Sequence, residues 1–216
     1  MIKSMIRTIT AKYHLNGIIV GEFSKMKVKG MDFEIWAFHA DGLGHVSAIT
    51  ARGFFGLMKM DTLIINPTQR DMPLFSYDRV HTLGNDTLIC ELYDTILESA
   101  DLSRVEAVKE KYAGLPEQDP DKHWYDDIKL SVSLSKKGGK EHTEALDNCA
   151  MEYLESFLEA AEDAPYCDPD EKKAKAAFYV DGLLTHGGPS TDVFKKSLGD
   201  ERTARLLRNI LFGTGR

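Results

Sequence analysis

Residues 31–95 carry the clearest structural pattern in the sequence: MDFEIWAFHADGLGHVSAITARGFFGLMKMDTLIINPTQRDMPLFSYDRVHTLGNDTLICELYDT. It contains runs of aromatic and β-branched residues separated by short segments rich in Gly, Asn, Asp and Pro, a composition typical of strands joined by tight turns. Short connections between consecutive strands favour an antiparallel meander. The strands predicted from this pattern cover residues 31–40, 45–52, 56–66, 73–83 and 87–95.

The second half of the chain changes to the periodicity of helices. Between residues 143 and 161, apolar residues recur at the i, i+3, i+4, i+7 spacing that places them on one helical face. Strands followed mainly by helices predict an α+β fold in which helices cover the sheet. We find no linker or repeat and therefore expect one domain over residues 1–216. Further elements are predicted as helices at 103–113, 168–184 and 200–211 and a strand at 129–135.

Composition excludes several classes of partner and location. The chain has a net charge of −7 and a pI near 5.5, which disfavours nucleic acid because phosphate binding needs a basic surface. No stretch approaches the roughly 20 apolar residues that cross a bilayer, and no secretory signal is present, so no membrane partner is expected. The three cysteines form no CxxC pair, which fits a soluble protein in reducing cytoplasm.

Common catalytic motifs are absent from the sequence. There is no Walker A sequence, GxGxxG, HExxH or GxSxG. His39, Asp41 and His45 surround a predicted turn and are residue types that bind divalent metals. Turn aspartates usually bond their own backbone, so we predict no metal site. Residues 123–127 (HWYDD) either supply acid/base groups beside an aromatic surface or simply begin a strand.

Asp78 is the most informative residue in the pattern of the predicted strands. Period-2 alternation puts Asp78 on the same strand face as Leu74 and Val80. Burial among apolar neighbours raises the pKa of a carboxyl group, which lets it hold and deliver a proton near neutral pH. The alternative is that this face is exposed to solvent and that the face with Phe75 and Tyr77 is the core.

Three segments resemble the ferredoxin-dependent bilin reductases and red chlorophyll catabolite reductase. Residues 71–80 (DMPLFSYDRV) are similar to the family's Pro-Ile-Phe-Gly-x-Asp-x-Val strand, with Asp78 at its substrate-facing acid. Trp124 and Tyr125, ahead of a predicted strand, resemble the family's Trp-Phe-Ser-Pro element. Residues 188–212 resemble its closing helix, which ends in Leu-Phe. The segments occur in the family's order.

The resemblance implies an α/β/α sandwich: a central antiparallel sheet flanked by helices, with a linear tetrapyrrole between the sheet and the C-terminal helices. It implies a reductase with no bound metal or organic cofactor, to which reduced ferredoxin or flavodoxin supplies single electrons. Asp78 would be the proton donor, assisted by Asp61, and Glu34 is the candidate for the family's upstream glutamate. Asp61 stands where phycocyanobilin-forming members have a histidine, which separates this chain from them.

The same family resemblance assigns substrate binding to Trp124 and to a set of three arginines. Arg202, Arg205 and Arg208 share one side of the last predicted helix. They would hold tetrapyrrole propionates or dock an acidic ferredoxin, or they are simply solvent-exposed helix residues. Two other functions stay open: a non-catalytic tetrapyrrole carrier on the same fold, and an acid/base enzyme that acts on another substrate.

Overall fold

The computed structural model of the protein describes residues 1–118 and 122–215. The described residues form an eight-stranded antiparallel sheet in the order β1-β3-β4-β5-β6-β7-β8, with β2 also paired to β3. Helices cover both faces of the sheet, which confirms the predicted α+β arrangement. The strands are β1 (Leu15–Gly17), β2 (Lys25–Val28), β3 (Met31–Ala40), β4 (Gly44–Gly53), β5 (Met58–Asn66), β6 (Leu74–Thr82), β7 (Asn85–Tyr93) and β8 (Leu134–Gly138).

The helices lie mostly in the second half of the chain. Over residues 1–118 and 122–215, none is both long and apolar enough to cross a membrane. The last helix changes from α-helical to π-helical geometry at Leu206 and continues to Leu211. The helices are α1 (Ile2–Lys12), α2 (Ser103–Lys111), α3 (Thr143–Asp163), α4 (Pro169–His186), α5 (Pro189–Leu198) and α6 (Asp200–Arg205).

Most predicted elements lie where the pattern placed them, but one predicted strand is displaced, and β1, β2, α1 and α5 were not predicted. The strand predicted at 129–135 is displaced to β8. Residues 130–133 form a turn instead, in which Leu130 and Ser133 form hydrogen bonds with Leu92 at the end of β7. Helix α1 was not predicted, although its buried Ile2, Met5 and Ile9 have helical spacing. Helix α5 was also missed, because the Gly-Pro segment that ends α4 begins α5 as well.

The two faces of the sheet pack against different helices. We call the face that carries Phe75 and Tyr77 the α3 face, because it packs against α3 and α1. We call the opposite face, which carries Ile35 and Ile49, the α4 face, because it packs against α4, α5 and the π-helical segment. Each face has its own cluster of buried apolar residues, so the sheet is the middle layer of three.

Three polar side chains hold the end of the chain on the α4 face. His45 Nε2 lies 2.7 Å from the carbonyl oxygen of Ile210, Ser47 Oγ donates to Leu211 O at 2.8 Å, and Asn66 Nδ2 donates to Phe212 O at 2.8 Å. These carbonyls end the π-helical segment and would otherwise be without partners. The anchors fix the apolar side chains of this segment above the sheet.

Candidate functional site

A pocket of about 340 Å³ lies between the α4 face and the helices that cover it. Its volume is in the range typical of small-molecule sites. The sheet forms a mixed polar and apolar floor, and the helices form a mainly apolar wall. The floor includes Ile49, Met60, Thr62, Ile64, Ser76, Asp78, Val80, Ile89, Glu91 and Ser135, and the wall includes Tyr179, Leu183, Phe194, Leu207, Leu211 and Phe212.

Strand register aligns three polar side chains and Ile89 in one row across the pocket floor. Thr62 on β5 is directly opposite Asp78 on β6, and Asp78 is directly opposite Ile89 on β7. Ile89 is in turn opposite Ser135 on β8. Directly opposed residues of an antiparallel pair project to the same face, so these side chains converge on one cavity. Asp78 lies near the centre of the row.

Asp78 has an environment that favours its protonated form. The pKa of this carboxyl group is raised to about 6. Burial raises it most, the hydrogen bond from Thr62 lowers it, and the negative charge of Glu91 raises it. Thr62 Oγ1 donates to Asp78 Oδ1 at 2.5 Å. A carboxyl group with a pKa near 6 is present in both protonation states close to neutral pH, which is the requirement for a general acid.

Glu91 is a second pocket carboxylate, and the sequence analysis did not identify it. Tyr93 Oη donates to Glu91 Oε2 at 2.5 Å, and Lys129 Nζ lies 3.5 Å from Glu91 Oε1. The alternating pattern of β7 could have identified Glu91. Leu88, Cys90 and Leu92 form the buried face of this strand, which leaves Glu91 on the opposite face. The pocket therefore contains two acids on neighbouring strands.

Trp124 lies behind the aromatic wall and is not a lining residue. Tyr93 and Tyr179 stack with ring centroids 4.4 Å apart, and Tyr125 meets Tyr93 edge-on at 5.6 Å. Trp124 packs against Tyr179 at 5.9 Å, and its Nε1 donates to Gly187 O at 2.9 Å. Its position supports the lining tyrosines.

The rest of the 123–127 segment divides between the pocket and a local turn. His123 and Tyr125 line the pocket, and their rings stack at 4.8 Å. Asp126 accepts a hydrogen bond from the His123 backbone N–H at 2.9 Å and pairs with Lys129 at 2.8 Å. Asp127 is exposed. The segment is a 3₁₀ turn, Trp124–Ile128, and not the start of a strand.

The structure separates Asp61 and Glu34 from Asp78, which corrects the expectation that the three acids share a site. Asp61 is opposite Arg79 in the β5–β6 register and projects from the α3 face, where Arg52 bonds it at 2.7 Å. Glu34 projects from the same α3 face and lies 3.3 Å from Lys25. A shift of one residue reverses the face of a strand side chain, so Thr62, not Asp61, is the neighbour of Asp78.

The three arginines of the last helix also lie outside the pocket lining. Arg202 pairs with Glu22 at 2.7 Å, and Arg205 pairs with the same carboxylate. Arg208 pairs with Asp181 at 2.9 Å. All three side chains are about half exposed, and their charges are offset by these acids. This surface therefore differs from the substrate-binding set that the resemblance implied.

The histidines near the first hairpin turn are not arranged around a common point. His39 Nε2 is 3.7 Å from Asp41 Oδ1 at the surface, whereas His45 is buried against Ile210. Burial lowers the pKa of His45 to about 4, so its neutral ring forms the bond to the Ile210 carbonyl. Within residues 1–118 and 122–215, no group of three or more His, Cys, Asp or Glu is placed to hold a metal ion.

Comparison with known proteins supports the fold. No protein-family model matches the chain, and no curated protein matches its sequence. The crystal structure of selenomethionine phytochromobilin synthase from tomato in complex with biliverdin is similar, with a TM-score of 0.80 and 12% sequence identity. The match covers 99% of this chain and 82% of that chain. The predicted sandwich of a central antiparallel sheet flanked by helices is thereby confirmed as a fold that this chain shares with that structure.

Proposed function

We propose that this protein reduces a linear tetrapyrrole of the bilin or chlorophyll catabolite type, with electrons from reduced ferredoxin or flavodoxin. The proposal rests on Asp78, a half-buried carboxyl group with a raised pKa on the floor of a ligand-sized pocket. It is supported by the fold shared with phytochromobilin synthase, which was crystallised with biliverdin. No resident metal or organic cofactor is part of the proposal.

Reduction of one double bond requires two electrons and two protons. In the proposed reaction the external donor is oxidised by one electron in each of two encounters, and the bound tetrapyrrole is reduced. Asp78 transfers its proton to the one-electron-reduced substrate and becomes a carboxylate. The hydroxyl of Thr62 then stabilises that carboxylate through the 2.5 Å hydrogen bond. Solvent reprotonates Asp78, which delivers the second proton after the second electron has arrived, and solvent restores the acid again before the next turnover.

The wall of the pocket suits a planar conjugated ligand. Tyr179, Phe194 and Phe212 present large apolar surfaces opposite the floor that carries Asp78. Aromatic side chains bind flat rings by stacking and edge contacts. They also keep water from the reacting atoms, which protects a radical intermediate from side reactions.

The test is an anaerobic absorbance titration with biliverdin, followed by a reduced ferredoxin system. We expect a bound spectrum that shifts to shorter wavelength after the donor is added. In Asp78→Asn, biliverdin should still bind, while turnover should fall by about 100-fold or more, the usual contribution of a general acid. Asp32→Asn, an exposed change on β3, is the matched control and should retain full turnover.

Three outcomes would contradict the proposal. Unchanged turnover in Asp78→Asn would remove Asp78 from the proton-donor role. Binding of biliverdin without any reduction would identify a tetrapyrrole carrier, the alternative that the same pocket supports. Absence of binding would leave an acid/base enzyme acting on a different substrate.

A further inference from the structure

Four large apolar side chains are exposed at one end of the sheet. Phe54, Phe55 and Leu57 lie in the turn between β4 and β5, and Leu83 lies in the turn between β6 and β7. Phe55 is fully exposed, and Leu83 is 76% exposed. Single exposed apolar residues are ordinary, but a contiguous group of them is typical of an interaction surface.

The two turns border a hollow with a basic lining. Leu57 and Leu83 line it together with Lys59, His81, Lys140 and Asp86, whose carboxylate is paired with Arg79 and His81. Both lysines are exposed, and neither forms an ion pair with another described residue. The described lysines that do form ion pairs are Lys12, Lys25, Lys27, Lys111, Lys129, Lys136, Lys172 and Lys175. The hollow thus has unpaired positive charge in a chain of net charge −7.

The backbone at the first turn is held in a costly conformation. Phe54 and Phe55 have φ angles of +51° and +56°, in the left-handed region. This region is sterically unfavourable for a non-glycine residue. The two rings are exposed in this chain, so the conformation presents apolar surface outward and gains no core packing in return.

The hollow lies directly across the sheet from the pocket. Lys59 and His81 are opposite each other on β5 and β6 and face the hollow. The next pair along the same strands, Met60 and Val80, lines the pocket on the α4 face. Consecutive strand residues point to opposite faces, so only the thickness of the sheet separates the hollow from a ligand in the pocket.

We infer that this hollow and its two turns form the docking surface for an acidic one-electron donor protein of the iron–sulfur or flavin class. The inference rests on the proposed function and names the surface through which its electrons arrive. Acidic side chains of the donor would pair with Lys59 and Lys140, while its apolar surface would cover Leu57 and Phe55. Each docking event oxidises the donor by one electron and reduces the pocket ligand by one.

Another surface of this chain fits the donor protein less well, and a lipid bilayer fits the hollow less well. The arginines Arg202, Arg205 and Arg208 already pair with Glu22 and Asp181, so they offer less free charge. The exposed Phe54 and Phe55 rings would also suit a lipid surface, but the lysines beside them line a concave hollow that a flat bilayer surface does not fill. Charge complementarity with an acidic protein accounts for both the lysines and the hollow.

The test separates docking from chemistry by comparing two variants that each lose two positive charges. Lys59→Gln/Lys140→Gln changes the hollow, and Arg202→Gln/Arg205→Gln is the matched control on the last helix. We measure biliverdin reduction against the concentration of a reduced [2Fe–2S] ferredoxin at low and high salt. The hollow variant should raise the KM for ferredoxin by about tenfold at low salt while kcat is retained, and the control should not. High salt should reduce the difference in the KM for ferredoxin between the hollow variant and the wild type, because salt screens exposed charges.

Phe55→Ser provides a second, charge-neutral test of the same surface. It should raise the KM for ferredoxin at both salt concentrations, because it removes an apolar contact that salt does not screen. Unchanged KM values in both hollow variants, or a larger change in the arginine control, would overturn the docking surface while the reductase function stands. Binding to phosphatidylserine–phosphatidylcholine vesicles that Phe55→Ser abolishes would overturn it in favour of a membrane. A wild-type protein without turnover would overturn the proposed function itself.

Discussion

The α3 face and the α4 face of the sheet are made by the same strands, yet one is a solid core and the other encloses a pocket. On the α3 face, Phe75 packs against Phe157 with ring centroids 5.0 Å apart, and Tyr77 is fully buried. On the α4 face, the alternate positions of the same strand are Ser76 and Asp78. Along this one strand, the odd-numbered residues Phe75 and Tyr77 therefore stabilise the core, and the even-numbered residues Ser76 and Asp78 line the pocket.

Buried polar side chains have different surroundings on the two faces. On the α3 face, the fully buried Arg79 donates to Asp86 at 3.2 Å and to Asp147 at 3.1 Å, so its charge is paired. On the α4 face, Ser135 Oγ is buried with no hydrogen-bond partner among the described residues. A buried polar group without a partner costs free energy. A ligand that bonds to Ser135 would recover that cost, whereas Tyr77 Oη, which is also buried without a partner among those residues, is enclosed in the core of the α3 face and does not line the pocket.

The largest expected difference between the faces is in stability. Phe157→Ala should lower the free energy of unfolding by about 3–5 kcal/mol, because it leaves a cavity in a closed core. Phe194→Ala should cost less, because the Phe194 ring borders a pocket that already exists. Urea denaturation of both variants measures the contrast. Equal losses would show that the α4 face is packed as fully as the α3 face.

A smaller effect concerns the pH dependence of stability. The pKa of Asp78 is about 6 in the folded protein, against an ordinary value of 3.8 for an aspartate in the unfolded chain, so the folded state binds the proton more tightly than the unfolded state. The protein should therefore lose stability as pH rises from about 4 through 6, by at most about 3 kcal/mol. The Asp78→Asn variant should not show this pH-dependent loss of stability.

The variant should accordingly be more stable than the wild type at pH 8 and of similar stability at pH 4. Urea denaturation at the two pH values measures this difference, with Asp32→Asn as the control for loss of a carboxylate on the same sheet. If Asp78→Asn and the wild type differ by the same amount at both pH values, the pKa of Asp78 is not raised.

The smallest expected effects are opposite changes in the pKa of Asp78. Thr62→Val removes the hydrogen bond that favours the carboxylate, so the pKa of Asp78 should rise. Glu91→Gln removes the neighbouring negative charge, so the pKa of Asp78 should fall. Each change should be worth about 1 kcal/mol, near the net value of one hydrogen bond. Carboxyl ¹³C NMR titrations check both signs, and a shift in the same direction in the two variants would contradict them.

Much of the fold could be predicted from local pattern. The strand at residues 31–40 coincides with β3, and the helix at 143–161 is α3 with two more residues at its end. Alternation in β6 placed Asp78 apart from Phe75 and Tyr77. These features depend on neighbouring residues, whose side chains alternate or rotate with a fixed period.

The site was less predictable because it depends on register and on distant partners. The family resemblance selected Asp61 as the partner of Asp78, whereas the β5–β6 register places Thr62 beside Asp78. The arginines of the last helix could not be assigned from their spacing, because Glu22, which pairs with Arg202 and Arg205, lies 180 residues away along the chain. Cross-strand register and long-range ion pairs arise from the packed structure and have no local signature.

The pKa of Asp78 in the wild-type protein tests the proton-donor assignment most directly. Infrared difference spectra between the wild type and Asp78→Asn, recorded from pH 3 to pH 9, isolate the carboxyl band of this one residue. We expect a protonated carboxyl band that titrates with a midpoint near pH 6. A midpoint near the ordinary value for an aspartate, about 4, would show that Asp78 is a solvated carboxylate and would contradict its role as proton donor.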